Sequence, residues 1–372
     1  MSNRANIYIG LMSGTSMDSI DAVAVIFRKT KLELVACHSI DIPEQAGQSI
    51  RRLCHSGEDN IDLYARTDQV LGRLFSQAVN ELVASAKIST SQIVAIGSHG
   101  QTIRHQPPGD MPGYSLQIGD PNTIATETGC TVVADFRRAD MALGGQGAPL
   151  VPAFHQCFFA HPERARVILN IGGIANLTLL HKDHCSGFDT GPGNLLLDAW
   201  CLENTGAAFD NRGAWSKTGV SNRTLVDQLK QQAFFRQSPP KSTGREQFNL
   251  DWLKQQLNNV DLSAADIQAS LTSFTAETVS EAIAQADFTV DDIFVCGGGT
   301  CNEELITQLD SCLTIINLPK TTSTATLGLH PRWVEACAFA WLAKQRLERS
   351  PGNITTVTGA SRVTVLGGVF QP

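Results

Sequence analysis

The sequence contains no apolar run of the length that a membrane span requires, no basic run and no low-complexity tract. Acidic residues outnumber basic ones by 36 to 29 among 372 residues, which gives a formal net charge of −7. An acidic chain without a basic patch suits neither nucleic acid nor an anionic membrane, so neither is expected as a partner. The first residues also lack the pattern of an export signal, so a cytoplasmic protein is expected.

The ten cysteines never show Cys-x-x-Cys spacing, and the closest two are Cys296 and Cys301. A chain of this length with irregular cysteine spacing does not indicate a disulfide framework or a structural zinc site. We therefore predict reduced and mostly buried thiols, which behave as small hydrophobic side chains.

Two familiar nucleotide-binding motifs are also missing. The nearest approach to a P-loop ends at Lys217-Thr218 and lacks the glycine before the lysine. Residues 297–302, Gly-Gly-Gly-Thr-Cys-Asn, follow a predicted strand but have Asn302 in place of the third glycine of a dinucleotide fingerprint. A nicotinamide cofactor is not expected, whereas a nucleoside base or a phosphate at this glycine turn stays open.

One plan is present twice: a strand, a glycine-containing turn, two further strands and then a helix. The first copy begins with the apolar run 7–12 and the loop 13–21, and the second with the run 166–171 and the turn Gly172-Gly173. Apolar spacings of three and four predict helices at 65–86, 222–233, 247–257, 264–286 and 331–347. The alternation of strands and helices predicts an α/β fold with an internal duplication.

The chain is long enough for two domains, each with its own core. Four breakers (Gly144, Gly145, Gly147 and Pro149) follow one another closely and indicate a crossing between them. We predict an N-terminal domain of residues 1–140, completed by residues 345–372, and a C-terminal domain of residues 141–344.

The stretch 186–197, Ser-Gly-Phe-Asp-Thr-Gly-Pro-Gly-Asn-Leu-Leu-Leu, organises the second copy. Asp189 and Thr190 end a predicted strand, the glycines turn the chain, and Asn194 can cap the helix that follows. Such a turn aims backbone N–H groups at an anion and holds Asp189 beside it as a candidate base. The alternative is a structural corner whose aspartate caps the backbone.

Three further charged residues allow two interpretations each. Arg137 or Arg138 can bind a carboxylate or a phosphate through two hydrogen bonds, or form a surface ion pair. Glu335 lies at the start of the helix predicted from Pro331, where it can bind substrate or water, or simply favour the helix dipole.

Six stretches together resemble the anhydro-N-acetylmuramic acid kinase family, in the same order and along the whole chain. They are residues 9–18 (IGLMSGTSMD), 98–102 (SHGQT), 135–137 (DFR), 144–152 (GGQGAPLVP), 170–176 (NIGGIAN) and 188–194 (FDTGPGN).

This resemblance implies two ribonuclease H-like domains of the sugar kinase/actin/Hsp70 type, with an ATP cleft between them, and a homodimer. It implies that ATP and water open 1,6-anhydro-N-acetylmuramic acid to N-acetylmuramic acid 6-phosphate and ADP, in the recycling of the bacterial cell wall. Substrate residues are then Thr102, Arg137, Gly147, Asp189 and Glu335, with Asp189 and Glu335 also catalytic. The expected ATP-binding residues are Gly14, Thr15, Ser16, Met17, Asp18, Ser19, Ile20, Asp21, Asn170, Gly172, Gly173, Gly297, Gly298, Gly299 and Asn302.

The chemistry of the anhydro sugar sharpens the expected role of Asp189. Because O6 is bridged to C1, the sugar has no free O6 hydroxyl to deprotonate. Our hypothesis is that Asp189 takes a proton from water attacking C1, while the departing O6 attacks the γ-phosphoryl group. Mg²⁺ is expected to accompany ATP, held through water by Asp18 or Asp189.

Other functions of the same fold stay open. One is an ATP-gated sugar sensor or an actin-like assembly protein, and another is a phosphatase that uses water on a phosphate. The residues Asp189 and Arg137 favour the kinase.

Overall fold

Two units of sheet and helix form the chain in a computed structural model that describes residues 6–14, 17–55, 57, 60–109, 111–258 and 260–372. Unit 1 consists of Met1–Phe158 and Trp333–Pro372, and unit 2 consists of Phe159–Arg332. Unit 2 is therefore a continuous segment inserted between the two parts of unit 1.

The strands in chain order are β1 (Ile7–Met12), β2 (Ser19–Arg28), β3 (Lys31–Asp41), β4 (Ile93–Ser98), β5 (Gln101–Gln106), β6 (Tyr114–Ile118), β7 (Val132–Ala134), β8 (Arg166–Ile171), β9 (Ile174–His181), β10 (His184–Pro192), β11 (Asp292–Cys296), β12 (Thr321–Ser323) and β13 (Gly368–Phe370). The α-helices are α1 (Glu44–Cys54), α2 (Ile61–Ser85), α3 (Pro121–Thr128), α4 (Arg138–Met141), α5 (Val151–Phe159), α6 (Leu195–Thr205), α7 (Arg223–Leu229), α8 (Leu250–Gln256), α9 (Ala264–Ala284), α10 (Glu303–Ile315), α11 (Val334–Leu347) and α12 (Thr355–Thr358).

The main sheet of unit 1 has the order β13-β7-β4-β1-β2-β3. β1, β2 and β3 are antiparallel neighbours, β4 and β7 extend the sheet in parallel, and β13 closes its edge antiparallel to β7. A separate hairpin of β5 and β6 follows β4. The C-terminal segment thus supplies a strand to the sheet that the N-terminal segment begins.

The sheet of unit 2 has the order β10-β9-β8-β11-β12. β8, β9 and β10 are antiparallel neighbours, while β11 and β12 extend the sheet in parallel. Three antiparallel strands followed by parallel ones form the framework of both units. The predicted α/β fold is confirmed, and the strand order and strand directions in each unit are those expected of a ribonuclease H-like domain.

The boundaries between the units lie at 158/159 and 332/333, and not at the predicted 140/141 and 344/345. Helix α5, apart from its last residue, belongs to unit 1, because the Phe158 ring lies 5.7 Å from Phe27 and the Phe154 ring lies 6.3 Å from Trp341. The breakers at 144–149 therefore form a loop within unit 1 and do not mark the crossing.

Helix α11 belongs to unit 1 because it packs directly on the sheet. Gly10 in β1 faces the backbone of Ala336, and Gly97 in β4 faces the backbone of Phe339. A Cβ atom at either glycine would overlap a carbonyl oxygen of the helix, so only glycine permits this approach.

The helices predicted from apolar spacing are present, with shifted ends. Helix α2 begins earlier than predicted, because the Asn60 side chain accepts the N–H of Leu63 at 2.9 Å and caps it. The segment predicted as one helix at 222–233 is α7 followed by a separate 3₁₀ turn, Ala233–Arg236. Pro331 begins another 3₁₀ turn, Pro331–Trp333, and α11 starts only at Val334.

No disulfide forms among the ten cysteines, all of which lie in the described ranges. Cys130, Cys185, Cys201, Cys296 and Cys337 are buried, whereas Cys37 and Cys301 are exposed. Burial raises the pKa of the Cys185 thiol to about 12, so this thiol stays protonated at neutral pH. In the part of the chain that the structure describes, no helix has the length and apolar character needed to cross a bilayer.

Candidate functional site

The first glycine turn, between β1 and β2, is shorter than the predicted loop 13–21. The carbonyl of Gly14 accepts the N–H of Met17 at 3.3 Å, and Met17 is buried with φ 58°. Asp18 completes the turn, whereas Ser19, Ile20 and Asp21 already belong to β2. Thr15 and Ser16 lie outside the described residues.

The first turn is tied to the motif at 98–102. The Ser13 hydroxyl donates to Oε1 of Gln101 at 2.7 Å and lies 3.2 Å from the carbonyl oxygen of Ser19. Asp18 is exposed, and Ser19 Oγ donates to its Oδ1 at 3.3 Å. The Asp18 carboxylate therefore lies at the surface of unit 1.

The second glycine turn, Gly172-Gly173 between β8 and β9, binds the start of helix α6. The Gly172 carbonyl accepts the N–H of Asn194 at 2.8 Å, and the Gly173 carbonyl accepts those of Gly193 and Leu195 at 2.8 and 3.0 Å. These N–H groups, which the sequence suggested for an anion, are used within the protein. The Asn194 side chain makes no capping hydrogen bond, because the turn takes over this role.

Three strands of unit 2 bring Asp189, Asn170 and Gly297 to the same end of the sheet. Asn176 of β9 pairs with Asn170 of β8 on one side and with Asp189 of β10 on the other. Asn170 in turn pairs with Cys296 of β11, which directly precedes Gly297. The register therefore groups the predicted residues of unit 2.

Asp189 does not end its strand. β10 continues to Pro192 with a bulge between Asp189 and Gly191, because Ala175 and Ile174 continue the pairing. Gly191 has φ 132°, and a Cβ there would lie 2.7 Å from the Phe235 ring. The turn predicted after Thr190 is therefore a strand bulge that alters the direction of the chain beside Asp189.

Asp189 is 8% exposed. Its carboxylate is held by a loop that no sequence pattern indicated. The N–H of Thr243 donates to its Oδ2 at 2.9 Å, and the N–H of Asp189 donates to the Lys241 carbonyl at 3.1 Å. The only signal in the sequence was the polar run 241–246, Lys-Ser-Thr-Gly-Arg-Glu, after two prolines. A backbone donor leaves no other trace in a sequence.

Lys241 places a positive charge near Asp189. Its Nζ lies 4.6 Å from the centroid of the Phe234 ring and 5.9 Å from that of Phe188. Burial lowers the pKa of Lys241, and attraction to Asp189 opposes this effect. The partly buried ammonium group and the Asp189 carboxylate therefore attract each other.

The third glycine turn follows β11 and combines tight packing with one open position. Gly297 has φ 85°, and a Cβ there would overlap Oδ1 of Asn170, so the turn requires glycine. At Gly298 a Cβ would meet only Nδ2 of Asn194, at 3.9 Å, so this side of the backbone is open. Asn302 caps helix α10, since its side chain accepts the N–H of Leu305 at 3.0 Å.

In unit 1, Arg137 links two of the predicted motifs. Its guanidinium donates to the Gly147 carbonyl and to Nε2 of His99, both at 2.8 Å. Because Nε2 accepts, the His99 proton is on Nδ1, which donates to the Gly100 carbonyl at 2.8 Å. Burial, together with the charge of Arg137, lowers the pKa of His99 to about 3, so the ring is neutral.

Arg138 takes the surface role of the two arginines. It forms an ion pair with Asp135 at 2.6 Å, and its side chain is 65% exposed. The neighbouring arginines therefore separate into an exposed ion pair and a guanidinium held by buried groups.

Thr102 lies on the hairpin of β5 and β6, opposite Gln117. The Gln117 amide donates to the Thr102 hydroxyl at 3.0 Å and to Ser115 Oγ at 2.8 Å. Ser115 Oγ lies 3.0 Å from Nδ1 of His105, whose pKa is lowered to about 3 by burial and by Arg137. The hydroxyl of Thr102 thus lies in a network of neutral polar groups.

Glu335 lies in the first turn of α11 and is half-buried. The next residue, Ala336, contacts Gly10 of β1, so the packing of the helix fixes the position of Glu335 in unit 1. Its carboxylate is also favoured there by the dipole of the helix.

The candidate metal ligands among the predicted site residues are single carboxylates and not a cluster. Within the described ranges no three His, Cys, Asp or Glu side chains form a group that could hold a metal ion. Carboxylate oxygens such as those of Asp18 and Asp189 suit Mg²⁺, which usually keeps several water ligands and binds one or two carboxylates together with phosphates. Either carboxylate by itself therefore suits an ion that arrives with a nucleotide.

Comparison with known proteins identifies a family. The family described as anhydro-N-acetylmuramic acid kinase matches residues 6–372. Proteins named anhydro-N-acetylmuramic acid kinase are 52% identical in Shewanella sediminis, over 98% of both chains, and 49% identical in Coxiella burnetii, over 98% of this chain and 97% of that one. Among solved structures, a dehydratase activator from Clostridium difficile gives a TM-score of 0.44 at 13% identity over 92% of this chain and 97% of that one.

Proposed function

As a member of the anhydro-N-acetylmuramic acid kinase family, the chain is a phosphotransferase, and we propose how its residues perform the reaction. The substrates are 1,6-anhydro-N-acetylmuramic acid, ATP and water. The products are N-acetylmuramic acid 6-phosphate and ADP. The reaction serves the recycling of cell-wall amino sugars.

The observation that carries the mechanism is the restrained Asp189 carboxylate. It is nearly buried, held through Oδ2 by the Thr243 N–H, and close to the Lys241 ammonium group. A carboxylate that is kept ionised and in one position suits a general base. Asp189 accepts a proton from the water that attacks C1.

The C1–O6 bond breaks as the water oxygen bonds to C1, which inverts this carbon, as in an inverting glycosidase. The O6 electron pair forms a bond to the γ-phosphorus, and the bond from that phosphorus to the β-phosphate oxygen breaks to release ADP. The phosphoryl group replaces the proton that a general acid would supply, so one essential carboxylate suffices.

The sugar is positioned by four residues of unit 1, namely Thr102, Arg137, Gly147 and Glu335. Arg137 suits the lactyl carboxylate of muramic acid, because a guanidinium binds a carboxylate through two hydrogen bonds. The Thr102 hydroxyl lies in a network of neutral groups, which suits a sugar hydroxyl or amide. Glu335 orients the water or the sugar.

ATP binds at the glycine turns of both units. At Gly172 and Gly298 a Cβ atom would make only ordinary contacts, no closer than 3.4 and 3.9 Å, so a phosphate or a nucleoside can approach the backbone there. Asp18 or Asp189 would hold Mg²⁺ through water. The ion would neutralise phosphate charge, and the residues of this chain would supply position and proton transfer.

We further propose a cytoplasmic homodimer. The two alternatives are an ATP-gated sugar sensor and a phosphatase of the same fold. The family and the relatives described above are named as kinases instead. A phosphatase would direct its water at phosphorus, whereas the proposed base serves water at a sugar carbon.

Isotope labelling separates these functions. The purified protein is incubated with the anhydro sugar, Mg²⁺ and ATP in ¹⁸O-labelled water, and early products are analysed by mass spectrometry. We expect a phosphorylated sugar with one ¹⁸O at C1 and no label in the phosphate. Label in inorganic phosphate indicates a phosphatase, and absence of a phosphorylated sugar refutes the kinase.

A further inference from the structure

Asp140 forms the centre of a buried network in unit 1 that the sequence motifs did not indicate. The residue is 0% exposed. Its Oδ2 accepts the N–H of Gly147 at 2.9 Å, and its Oδ1 accepts Asn353 Nδ2 and Thr358 Oγ1, both at 2.7 Å. One carboxylate therefore joins helix α4, the loop 144–147 and the C-terminal segment.

These three donors are neutral, which makes the network sensitive to the loss of any one of them. A buried carboxylate is tolerated only when hydrogen bonds replace its water. Asn353 cannot rotate its amide freely, because its Oδ1 accepts the N–H of Thr364 at 2.7 Å. The position of the Asn353 donor is thus fixed by a contact outside the network.

The backbone joins the same three segments. The N–H of Gln146 donates to the Thr358 carbonyl at 2.8 Å, and the N–H of Ser361 donates to the Leu143 carbonyl at 3.0 Å. At Gly145 a Cβ would overlap the Asp140 carboxylate. The loop is therefore held against Asp140 on one side and against the C-terminal segment on the other.

Gly147 passes this restraint to Arg137. Its N–H is bonded to Asp140, while its carbonyl accepts the Arg137 guanidinium at 2.8 Å. A second guanidinium nitrogen donates to His99. Gly147 and His99 accept hydrogen bonds from the Arg137 guanidinium, and Asp140 fixes the first of these acceptors.

We propose that Asp140 is a positioning residue for sugar binding, which acts through Gly147 on the guanidinium of Arg137. The inference rests on the proposed function, since it takes Arg137 as the group that binds the sugar carboxylate. Asp140 itself touches no substrate. Its loss misplaces the guanidinium and weakens the sugar complex while the ATP complex is preserved.

Two variants disturb the network to different degrees. In Asp140→Asn the volume is kept, but the new NH₂ group must face either the Gly147 N–H or the Asn353 and Thr358 donors. Thr358→Val keeps the carboxylate and removes one donor. Thr358→Ser keeps the hydroxyl and is the matched control.

Steady-state kinetics tests the proposal by separate KM values. For Asp140→Asn we expect the KM for the anhydro sugar to rise about tenfold, and the KM for ATP to stay within about twofold of wild type. Thr358→Val gives a smaller rise of the same kind, and Thr358→Ser behaves as wild type. A residue with only a structural role would lower the active fraction and leave both KM values unchanged.

A double-mutant cycle connects the effect to Arg137. Arg137→Ala raises the sugar KM, and adding Asp140→Asn to it changes that KM by less than about twofold, because the affected contact is already absent. If Asp140→Asn fails to fold, Thr358→Val in the same cycle decides.

Two outcomes overturn the inference in distinguishable ways. An unchanged sugar KM in Asp140→Asn or Thr358→Val, with a raised KM in Arg137→Ala, refutes the role of Asp140 alone. An unchanged sugar KM in Arg137→Ala refutes the proposed sugar contact, and the role of Asp140 with it.

Discussion

The peptide N–H of Thr243 donates a hydrogen bond of 2.9 Å to Oδ2 of Asp189. The proposed base is therefore held by a loop more than fifty residues further along the chain, while its own strand fixes its backbone position. The loop packs beside the Phe234 ring, over which the Lys241 ammonium group lies. The loop that holds the proposed base in position therefore also supplies the nearby positive charge.

Removal of the Thr243 N–H tests this dependence. Thr243→Pro deletes the donor, and we expect kcat to fall about tenfold or more, because a misplaced base loses its alignment with water. Thr243→Val keeps the N–H and loses only the hydroxyl contact with Gln247 at 2.8 Å, so it serves as the control. The release of ADP measures both. Equal rates for the two variants would contradict the positioning role.

Removal of the base itself has a larger effect. Asp189→Asn keeps the shape of the side chain but cannot accept the proton, so kcat should fall by about 10²–10⁴-fold. Calorimetry should find ATP affinity unchanged. Asp287→Asn, at an exposed position of unit 2, controls for loss of one negative charge. Near-normal turnover in Asp189→Asn would refute the assignment.

Buried histidines give the free energy of unfolding a defined pH dependence. The pKa values of His99, His105 and His155 are lowered to about 3, mainly by burial, from an ordinary value of 6.5. Between these values the unfolded chain binds protons that the folded chain does not. The contribution of these histidines to the free energy of unfolding is therefore fully present well above pH 6.5. It is lost between pH 6.5 and about 3, by about 1.4 kcal/mol per pH unit for each histidine.

Urea unfolding at a series of pH values below neutrality measures this slope. His155→Leu removes one of the three contributions, so its slope should be shallower by about 1.4 kcal/mol per pH unit. The comparison uses slopes, so it is independent of any constant loss of stability in the variant. Identical slopes in variant and wild type would exclude His155 as a contributor.

The close packing of helix α11 predicts strong intolerance at two glycines. Gly10→Ala and Gly97→Ala place a methyl group against the helix backbone and should lower the free energy of unfolding by about 2 kcal/mol or more. Gly109→Ala is the control, because a Cβ there meets nothing within 4 Å. Denaturant midpoints measure the difference. A stability for Gly10→Ala equal to that of Gly109→Ala would show that the helix can move away.

Elements with strong periodicity were predictable from the sequence. The helix predicted at 264–286 is found at Ala264–Ala284, because Leu271, Phe274 and Ile283 are all buried along it. Strand pairing was less accessible. β10 runs through Gly191 and Pro192 because Ala175 and Ile174 continue to pair with it, a tertiary effect that overrides the turn signal of these residues.

The site residues divide by the range of their contacts. Arg137 and Arg138 are chemically equivalent in the sequence, and only their partners, His99 and Asp135, distinguish them. The buried network of Asp140 could not be predicted from the sequence, because its partners Asn353 and Thr358 lie 213 and 218 residues away along the chain. Contacts of this separation leave no local pattern.

The insertion of unit 2 into unit 1 has a consequence for synthesis on the ribosome. Residues 159–332 form a continuous unit that can fold as it emerges, whereas β7 must wait for β13 to close its edge of the sheet. Asp140 likewise waits for Asn353 and Thr358. Unit 2 can therefore be folded in the nascent chain while the surroundings of Arg137 are still incomplete. Unit 1 can complete its fold only after the C-terminal segment has left the ribosome.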